Sequence, residues 1–315
     1  MAKLSHSGLR ARAGTMTCAQ LLRRAVIRLQ RARLHYGHGT EHAMDDAAAL
    51  LAHARRLRRP LQEKDLLLPV TGPVRERFAA LLDRRIKERV PVVYLTNRCW
   101  FAGLPLYVDA RVLIPRSPIA ELIEQRFEPW VKAHTVRRIV DLGTGSGCIA
   151  LACAQAFPAA RVDGVDISRD ALAVARINRA ALGLTRRVRL VKSDFFQALQ
   201  GRRYDIIVSN PPYVGTAEFN GLPAEYRHEP AAALRAGRDG MNAVRVLLRE
   251  APSHLTDNGV LVVEVGNTET QVRRAFPRLP FVWLSFVRGG GGVFVLTAAA
   301  LRAAGSGKSR SSRVR

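Results

Sequence analysis

The fold of this 315-residue chain is decided by Arg138-Ile139-Val140-Asp141-Leu142-Gly143-Thr144-Gly145-Ser146-Gly147-Cys148-Ile149-Ala150. The stretch begins as a buried strand, turns through alternate glycines, and ends in apolar residues that predict the start of a helix. Glycine lets the backbone turn tightly and approach a ligand closely. A strand, glycine turn and helix in this order predict an α/β domain. Alone the turn is weak evidence, because dinucleotide-binding folds use the related spacing G-x-G-x-x-G.

Two further strands follow, and polar groups stand where each of them ends. Residues 161–166 predict a strand that ends at Asp166, where a carboxylate can accept hydrogen bonds from both hydroxyls of a ribose. Residues 188–192 predict a strand that leads into Ser193-Asp194-Phe195-Phe196, which offers an acceptor for an adenine amino group and an aromatic face. Either carboxylate alone could instead cap a helix. Together these strand ends predict one adenosine-binding pocket, because open α/β sheets bind ligands beyond the carboxyl ends of their strands.

The next strand, residues 204–209, runs directly into Asn210-Pro211-Pro212-Tyr213. Two prolines stiffen this turn and remove two backbone donors, which leaves carbonyl oxygens free to accept hydrogen bonds. The Asn210 side chain and the Pro211 carbonyl can then both accept from one planar NH2 group, and the Tyr213 ring can lie beside it. This arrangement suits an amide or an exocyclic amine, whose nitrogen lone pair is delocalised. Taken alone, the tetrapeptide could also be a purely structural turn.

These motifs resemble those of the class I S-adenosylmethionine-dependent methyltransferases, and the Asn-Pro-Pro-Tyr form is similar to their amino-methylating subset. The resemblance extends from about residue 36 to about residue 296 and is closest to the protein glutamine methyltransferases. It implies an α/β fold with a Rossmann-like open sheet and an antiparallel edge hairpin, preceded by a small helical domain and a short β-hairpin. The implied cofactor is S-adenosylmethionine, bound by Asp141, Gly143, Thr144, Gly145, Gly147, Asp166, Ile167, Asp194, Phe195 and Asn210.

Two segments distinguish branches within the resembled family. In the release-factor branch, the arginine that matches Arg116 is followed by Pro, then Asp or Glu, then Thr-Glu. This chain has Ser117-Pro118-Ile119-Ala120 instead, which is similar to the branch that modifies the third protein of the large ribosomal subunit. Tyr36-Gly37-His38-Gly39-Thr40 is similar to that branch as well. The implied partner is therefore this ribosomal protein, with a release factor as the alternative.

The predicted catalytic residues are Asn210, Pro211, Pro212 and Tyr213. A methyl sulfonium is already reactive, so we expect positioning and electrostatic stabilisation of the amide nitrogen rather than a strong base. The long segment 214–239 is expected to close over the substrate and to supply acidic groups, with a packed surface loop as the alternative. Glu264, near the end of a later strand, is expected to be structural.

Proline and glycine residues divide the chain into segments. The predicted segments are a disordered basic N-terminus at 1–16, a helical substrate-recognition domain at 17–91, a connecting β-hairpin at 92–115 with its turn at Gly103-Leu104-Pro105, the methyltransferase domain at 116–300, and a disordered basic tail at 301–315. Strands of the main domain are predicted at 137–141, 161–166, 187–192, 204–209, 260–265, 281–287 and 293–297. Four glycines, 289–292, predict a hairpin between the last two.

Composition excludes several classes of protein. No stretch approaches the roughly 20 apolar residues that a membrane span needs, and the N-terminus lacks the apolar core of a secretory signal. The cysteines at 18, 99, 148 and 153 show neither metal-ligand spacing nor a disulfide framework, so no metal is expected. We expect a cytoplasmic protein. The first 40 residues contain basic residues but no acidic ones, so an organelle transit peptide is the alternative.

The net charge of +24 and pI of about 11.3 bear on the partner. A basic enzyme and a basic ribosomal protein would repel each other, which slows their encounter. An assembly particle that contains ribosomal RNA removes this conflict, so the sequence predicts such a particle as the substrate. Lineage bias toward arginine is the alternative. A nucleic-acid amino methyltransferase and a non-catalytic RNA-binding assembly factor also stay open, although residues 18–115 look like no known target-recognition or RNA-binding module.

Overall fold

The computed structural model describes residues 16–306. The chain divides into two compact units, Met1–Thr96 and Asn97–Arg315. The predicted disorder of residues 1–15 and 307–315 lies outside the described residues. The prediction of disorder from residue 301 is wrong for 301–306, because a C-terminal helix continues to Ser306 and Leu301 packs into the core.

The first unit is helical. Its helices are α1 (Cys18–Arg31), α2 (Ala43–Ala54), α3 (Glu63–Leu66), α4 (Gly72–Lys87) and α5 (Val92–Thr96). Thr17 caps α1: its Oγ1 accepts from the Gln20 N–H, while the Gln20 side chain accepts from the Thr17 N–H. Leu29, Leu50 and Phe78 are among the buried apolar side chains that hold the helices together.

Residues 92–96 are helical where the sequence predicted the start of a hairpin. Pro91 stands just before this turn, where the missing N–H of proline costs no helical hydrogen bond. Val92, Val93 and Leu95 are all buried, and Val92 and Leu95 belong to the core of the first unit. Burial of one apolar face therefore outweighs the strand preference of β-branched valine.

The second unit opens with a short antiparallel hairpin, β1 (Cys99–Phe101) and β2 (Leu104–Leu106). Its turn lies at Ala102 and Gly103, both with positive φ, and not at Gly103-Leu104-Pro105 as predicted. Two positive φ values give the turn a twist that matches the strands. Pro105 instead lies within β2, opposite Trp100.

The main sheet has seven strands: β3 (Arg138–Leu142), β4 (Arg161–Asp166), β5 (Val188–Lys192), β6 (Tyr204–Ser209), β7 (Leu255–Glu264), β8 (Val282–Trp283) and β9 (Val293–Thr297). They are ordered β5-β4-β3-β6-β7-β9-β8. The first five are parallel, while β9 is antiparallel to both β7 and β8. The predicted open α/β sheet with an antiparallel edge hairpin is confirmed.

Strand β8 is shorter than the predicted 281–287. After Leu284, whose N–H still donates to Val293 O, the chain leaves the sheet. The Val287 and Arg288 N–H groups donate to the Glu121 carboxylate instead, at 3.0 and 2.8 Å. A carboxylate next to the edge thus satisfies the backbone groups that would otherwise have continued the strand.

Helices cover both faces of the sheet: α6 (Ile119–Glu124), α7 (Cys148–Ala156), α8 (Arg169–Ala181), α9 (Thr216–Asn220), α10 (Asn242–His254), α11 (Glu269–Ala275) and α12 (Ala298–Ser306). One buried cluster contains Leu151 and Val162, and a second contains Leu247 and Phe294. Because β3 to β6 are parallel, their carboxyl ends all lie at the same end of the sheet. No helix within residues 16–306 is long and apolar enough to cross a membrane.

Candidate active site

The glycine turn between β3 and α7 is fixed from below by Asp141. This residue is fully buried, and its Oδ2 accepts from Thr144 Oγ1 at 2.6 Å and from the Ala150 N–H at 3.0 Å. Gly143, Gly145 and Gly147 all have positive φ, which explains the alternate glycines. The carboxylate therefore shapes the turn and aligns the first residues of α7.

The second oxygen of Asp141, Oδ1, has no hydrogen-bond partner within the described part of the chain. Burial raises the pKa of Asp141 to about 7, opposed by the hydrogen bonds from Thr144 and Ala150 and reinforced by the charge of Asp166. An acidic group kept away from water beneath a ligand loop suits a cationic ligand, because a positive charge nearby favours the carboxylate.

A second carboxylate, Asp166 at the end of β4, binds the glycine turn. Asp166 Oδ2 accepts from the Gly145 N–H and Oδ1 accepts from the Ser168 N–H, both at 2.8 Å. A carboxylate has about four lone-pair sites, so acceptor capacity remains for a ligand. Burial raises the pKa of Asp166, opposed by backbone hydrogen bonds. Asp166 thus joins the turn to β4 and retains acceptor capacity for a diol.

The cavity beyond these strand ends has a volume of about 240 Å³. Ile167, with 63% of its surface exposed, lines the cavity after β4, and Asp194 and Phe195 line it after β5. Phe195 adopts a positive φ of 41°, a conformation that bulky side chains rarely take. An apolar side chain and an aromatic ring in one cavity provide surfaces against which a flat heterocycle can pack.

Asn210 follows β6 and lines the same cavity. Its side-chain oxygen Oδ1 is buried, and nothing within residues 16–306 donates a hydrogen bond to it. A buried acceptor without a donor costs free energy, so its persistence points to a ligand N–H or O–H. Pro212 lines the cavity beside it, whereas Pro211 is buried and lies outside the lining.

Tyr213 lies behind the cavity wall, and its hydroxyl donates to Glu264 Oε1 at 3.1 Å. Ser117 donates to the other oxygen of Glu264 at 2.5 Å. Burial raises the pKa of Glu264, opposed by the hydrogen bonds from Ser117 and Tyr213 and by the charge of Arg116. The segment 117–120, which distinguished the two branches, therefore contacts Glu264. The structural role expected for Glu264 is to hold the Tyr213 hydroxyl.

The remaining walls come from two segments, of which the sequence had indicated only 214–239 as part of the site. Arg111, Val112 and Leu113 line one side, and the segment 214–239 contributes Pro230, Ala232 and Ala233. Pro230 and the apolar run at 112–114 were visible in the sequence, but no local signal paired them. This segment supplies apolar lining rather than acidic groups.

A buried ion pair joins these two segments. Glu229 accepts from the Ile114 N–H at 3.0 Å, and Arg116 lies 2.9 Å from its Oε1. Glu229 is therefore engaged inside the protein and does not face a basic target. The expectation that 214–239 presents acidic groups to the substrate is wrong for Glu229, because that carboxylate neutralises Arg116.

The predicted site residues divide into two groups. Those that line the cavity are Gly143, Gly145, Asp166, Ile167, Asp194, Phe195, Asn210 and Pro212. Those outside its lining are Asp141, Thr144, Gly147, Pro211 and Tyr213. Buried Asn178, which the sequence reasoning missed, donates to the Ser146 carbonyl at 2.9 Å and so anchors the glycine turn to α8. Residues 16–306 hold no group of three or more His, Cys, Asp or Glu side chains that could bind a metal.

Comparison with known proteins identifies the family. Residues 125–224 match the family model of the methyltransferase small domain. The ribosomal protein uL3 glutamine methyltransferase of Xylella fastidiosa (strain Temecula1) is 48% identical over 280 residues, which cover 89% of each chain. The enzyme of the same name from Bordetella pertussis is 45% identical, over 89% of this chain and 95% of its own. The chain belongs to the uL3 glutamine methyltransferase family.

Solved structures agree on the fold. The hMettl16 catalytic domain in complex with a MAT2A 3′UTR hairpin has a TM-score of 0.51 and 14% identity, and the match covers 80% of this chain and 91% of that one. At that identity the likeness supports the class I methyltransferase fold and nothing finer. As a member of the uL3 glutamine methyltransferase family, the chain is a methyltransferase whose methyl donor is S-adenosylmethionine.

The residues of the cavity fit this cofactor. Asp141 has an unpaired buried oxygen beneath the glycine turn, and Asp166 keeps acceptor capacity beside it. Asn210 offers a second unpaired acceptor at the neighbouring strand end. Such a set of acceptors can bind a cationic ligand that carries a ribose, and it can also bind an NH2 group.

Proposed function

We propose that this enzyme transfers the methyl group of S-adenosylmethionine to the side-chain amide nitrogen of a glutamine in ribosomal protein uL3. The observation that carries the proposal is the buried Oδ1 of Asn210, an acceptor without a donor in residues 16–306, at the edge of the cavity. A primary amide provides the missing N–H donor. The names of relatives that are 45–48% identical support glutamine of uL3 as the target.

The proposed catalytic roles fall on the Asn-Pro-Pro-Tyr turn. Asn210 Oδ1 and the Pro211 carbonyl accept the two N–H groups of the substrate amide and orient its nitrogen. As that nitrogen gains positive charge, both acceptors stabilise it more strongly than they stabilise the neutral amide. Pro212 stiffens the turn, and Tyr213, held by Glu264, supports the wall. The proton of the methylated amide then leaves to water, so no strong base is needed.

The proposed cofactor site uses the other strand ends. When bound, S-adenosylmethionine supplies an electrophilic methyl sulfonium. Asp166 accepts from the ribose hydroxyls, Asp194 accepts from the adenine amino group, and Ile167 and Phe195 pack against the adenine ring. Gly143 and Gly145 allow the turn to approach the ligand, while Asp141, Thr144 and Gly147 fix its shape. Asp141 also contributes negative charge near a cationic ligand.

We further propose that the substrate is uL3 within an assembly particle that contains ribosomal RNA, in the cytoplasm. The helical unit at 17–91 would recognise this particle. The support is electrostatic: a protein with a net charge of +24 is repelled by a free basic ribosomal protein, whereas RNA phosphates attract it. The particle should therefore be methylated with a higher kcat/KM than free uL3, by a factor that shrinks as salt is added.

The test uses tritium-labelled S-adenosylmethionine with free uL3, uL3 in assembly particles, and release factors. Label should appear on one uL3 glutamine, located by mass spectrometry, and should survive nuclease treatment. The Asn210→Ala enzyme is the matched control. Label that appears only on release factors would contradict the choice of uL3. Label that nuclease removes would identify a nucleic-acid amine as the acceptor, and absence of cofactor binding in calorimetry would identify a non-catalytic assembly factor.

A further inference from the structure

A second cavity lies at the amino ends of the same four parallel strands that form the cofactor site. Its volume is about 290 Å³, and its lining contains seven arginines and one carboxylate, Asp163. Strands of five or six residues separate it from the cofactor cavity by roughly 15–20 Å at about 3.3 Å per residue. The proposed reaction uses none of these side chains.

Part of this arginine cavity is held rigidly. Asp163, the third residue of β4, is largely buried, and it accepts from Arg189 Nε at 2.8 Å and from the Tyr204 hydroxyl at 2.7 Å. Arg202 lies 3.6 Å from the same carboxylate. The single negative charge of Asp163 thus holds two guanidinium groups. The other arginines of the lining leave the cavity with a large excess of positive charge.

Other arginines of the lining carry unpaired charge. Arg138, Arg161 and Arg186 are exposed, and among the described residues no carboxylate or carbonyl is bonded to their guanidinium groups. Asp205, just outside the cavity, accepts from the Arg137 and Arg138 backbone N–H groups at 2.7 and 2.9 Å. Seven arginines and one aspartate leave a net charge of +6 around the cavity.

We propose that the arginine cavity docks the sugar–phosphate backbone of RNA, which in the substrate particle is ribosomal RNA. The choice of RNA rests on the proposed function, whereas the contact with a phosphate backbone does not. Arginine guanidinium groups bind phosphate through two parallel hydrogen bonds. Four neighbouring strands spaced about 4.8 Å apart spread the charges over about 14 Å. That width suits several successive phosphates better than one small anion.

The lining also favours a nucleic-acid backbone over a protein partner. Its apolar members Val162 and Val188 are buried, so the cavity lacks the exposed apolar centre of a protein–protein interface. Tyr204 is 2% exposed and offers no ring face for stacking a base. Contacts would therefore be made to phosphates without reading the sequence of the RNA.

The test compares two variants of the full chain. The first is Arg138→Gln/Arg161→Gln/Arg186→Gln. The matched control, Arg126→Gln/Arg274→Gln/Arg278→Gln, removes the same charge from exposed positions of the same unit outside the cavity. Both are titrated with a short fluorescein-labelled RNA of mixed sequence over a range of salt concentrations, and inorganic phosphate is titrated separately.

The cavity variant should bind RNA on the order of tenfold more weakly at low salt, and its slope of log K against log salt should shrink by roughly 2 to 3. The control should keep most of its affinity. Equal losses in both variants, or loss in neither, would overturn the proposal. Loss of saturable phosphate binding with RNA binding intact would overturn it too, since the cavity would then be a small-anion site.

Methylation separates this proposal from the proposed function. The cavity variant should methylate free uL3 at the wild-type rate, within about twofold, which also shows that it is folded. On assembly particles its KM should rise while kcat stays unchanged, because the RNA contact is remote from the amide site. If wild type fails to methylate uL3, the proposed function falls, while the RNA titration still decides the docking site. An unchanged KM on particles with weakened RNA binding would overturn docking in the particle.

Discussion

The Tyr213 hydroxyl donates a hydrogen bond to Glu264 Oε1 at 3.1 Å, while Ser117 donates to Oε2 of the same carboxylate. This contact joins the end of the Asn-Pro-Pro-Tyr turn to the end of β7 and to the segment 117–120. Glu264 is buried, so the two hydrogen bonds replace the water that the carboxyl group has lost. Ser117 can therefore influence the amide site through Glu264.

Removing the Tyr213 hydroxyl should destabilise the protein and slow turnover. Tyr213→Phe leaves one Glu264 oxygen without its donor, which should cost about 1–3 kcal/mol in the free energy of unfolding. The effect on kcat should be smaller than that of losing Asn210, with cofactor affinity unchanged. Chemical denaturation and steady-state kinetics measure both. In Glu264→Gln the same Tyr213→Phe change should cost less, and equal costs in both backgrounds would show that the hydroxyl acts elsewhere.

Asn210→Ala should lower kcat by roughly 10²–10³, the scale for losing one preorganised hydrogen-bonding group. The affinity for S-adenosylmethionine should change far less, because the ribose and adenine contacts are assigned to other strand ends. Single-turnover kinetics and calorimetry on the same preparation separate the two effects. Near wild-type methyl transfer with the cofactor bound would remove Asn210 from the mechanism.

Asp166→Ala should weaken cofactor binding by about 1.5–3 kcal/mol, the scale for hydrogen bonds to a charged group. The variant also loses the contact with the Gly145 N–H, which holds the glycine turn against β4. Asp166→Asn retains one oxygen acceptor and should lose less. Isothermal titration with S-adenosylmethionine measures all three proteins. Wild-type affinity in Asp166→Ala would show that the ribose is bound by other groups.

Asp141 should make the stability of the protein depend on pH. Its pKa rises from 3.8 to about 7 on folding, mainly through burial, so the folded state binds the proton more tightly than the unfolded state. The stabilisation is complete below about pH 4 and is lost as pH rises through about 7. Asp141→Asn has no carboxyl group to ionise at this position. The free energy of unfolding of the variant minus that of wild type should therefore increase between about pH 4 and pH 7, by an amount on the order of a few kcal/mol. Urea denaturation without cofactor at several pH values measures the difference, and a constant difference would contradict the assignment.

Much of the cofactor cavity could be predicted because its residues follow strands in a regular order. Parallel strands bring their carboxyl ends to one edge, so Asp166, Asp194 and Asn210 could be grouped without knowing the register. The apolar walls of the cavity could not be predicted in this way. Leu113 and Ala232 line one cavity, and their segments, more than a hundred residues apart, are joined by the pair of Glu229 and Arg116.

The arginine cavity shows a second limit of sequence reasoning. Arg138, Arg161 and Arg186 are far apart in the chain and could equally reflect a general excess of arginine. Only the strand order β5-β4-β3-β6 brings them to one edge. Similarly, the hydrogen bonds from Val287 and Arg288 to Glu121 end β8 early, and no local pattern signals them.

The brevity of β8 has a consequence for self-association. An exposed edge strand offers unpaired backbone groups to which another chain can add, and this is a route to cross-β aggregates. Here one edge consists of two residues, Val282 and Trp283, which is too short to template a foreign strand. The opposite edge, β5, carries exposed Lys192, whose charge repels a second copy of the same strand. Both edge strands are thus protected against fibril growth, also when the protein is not bound to its substrate.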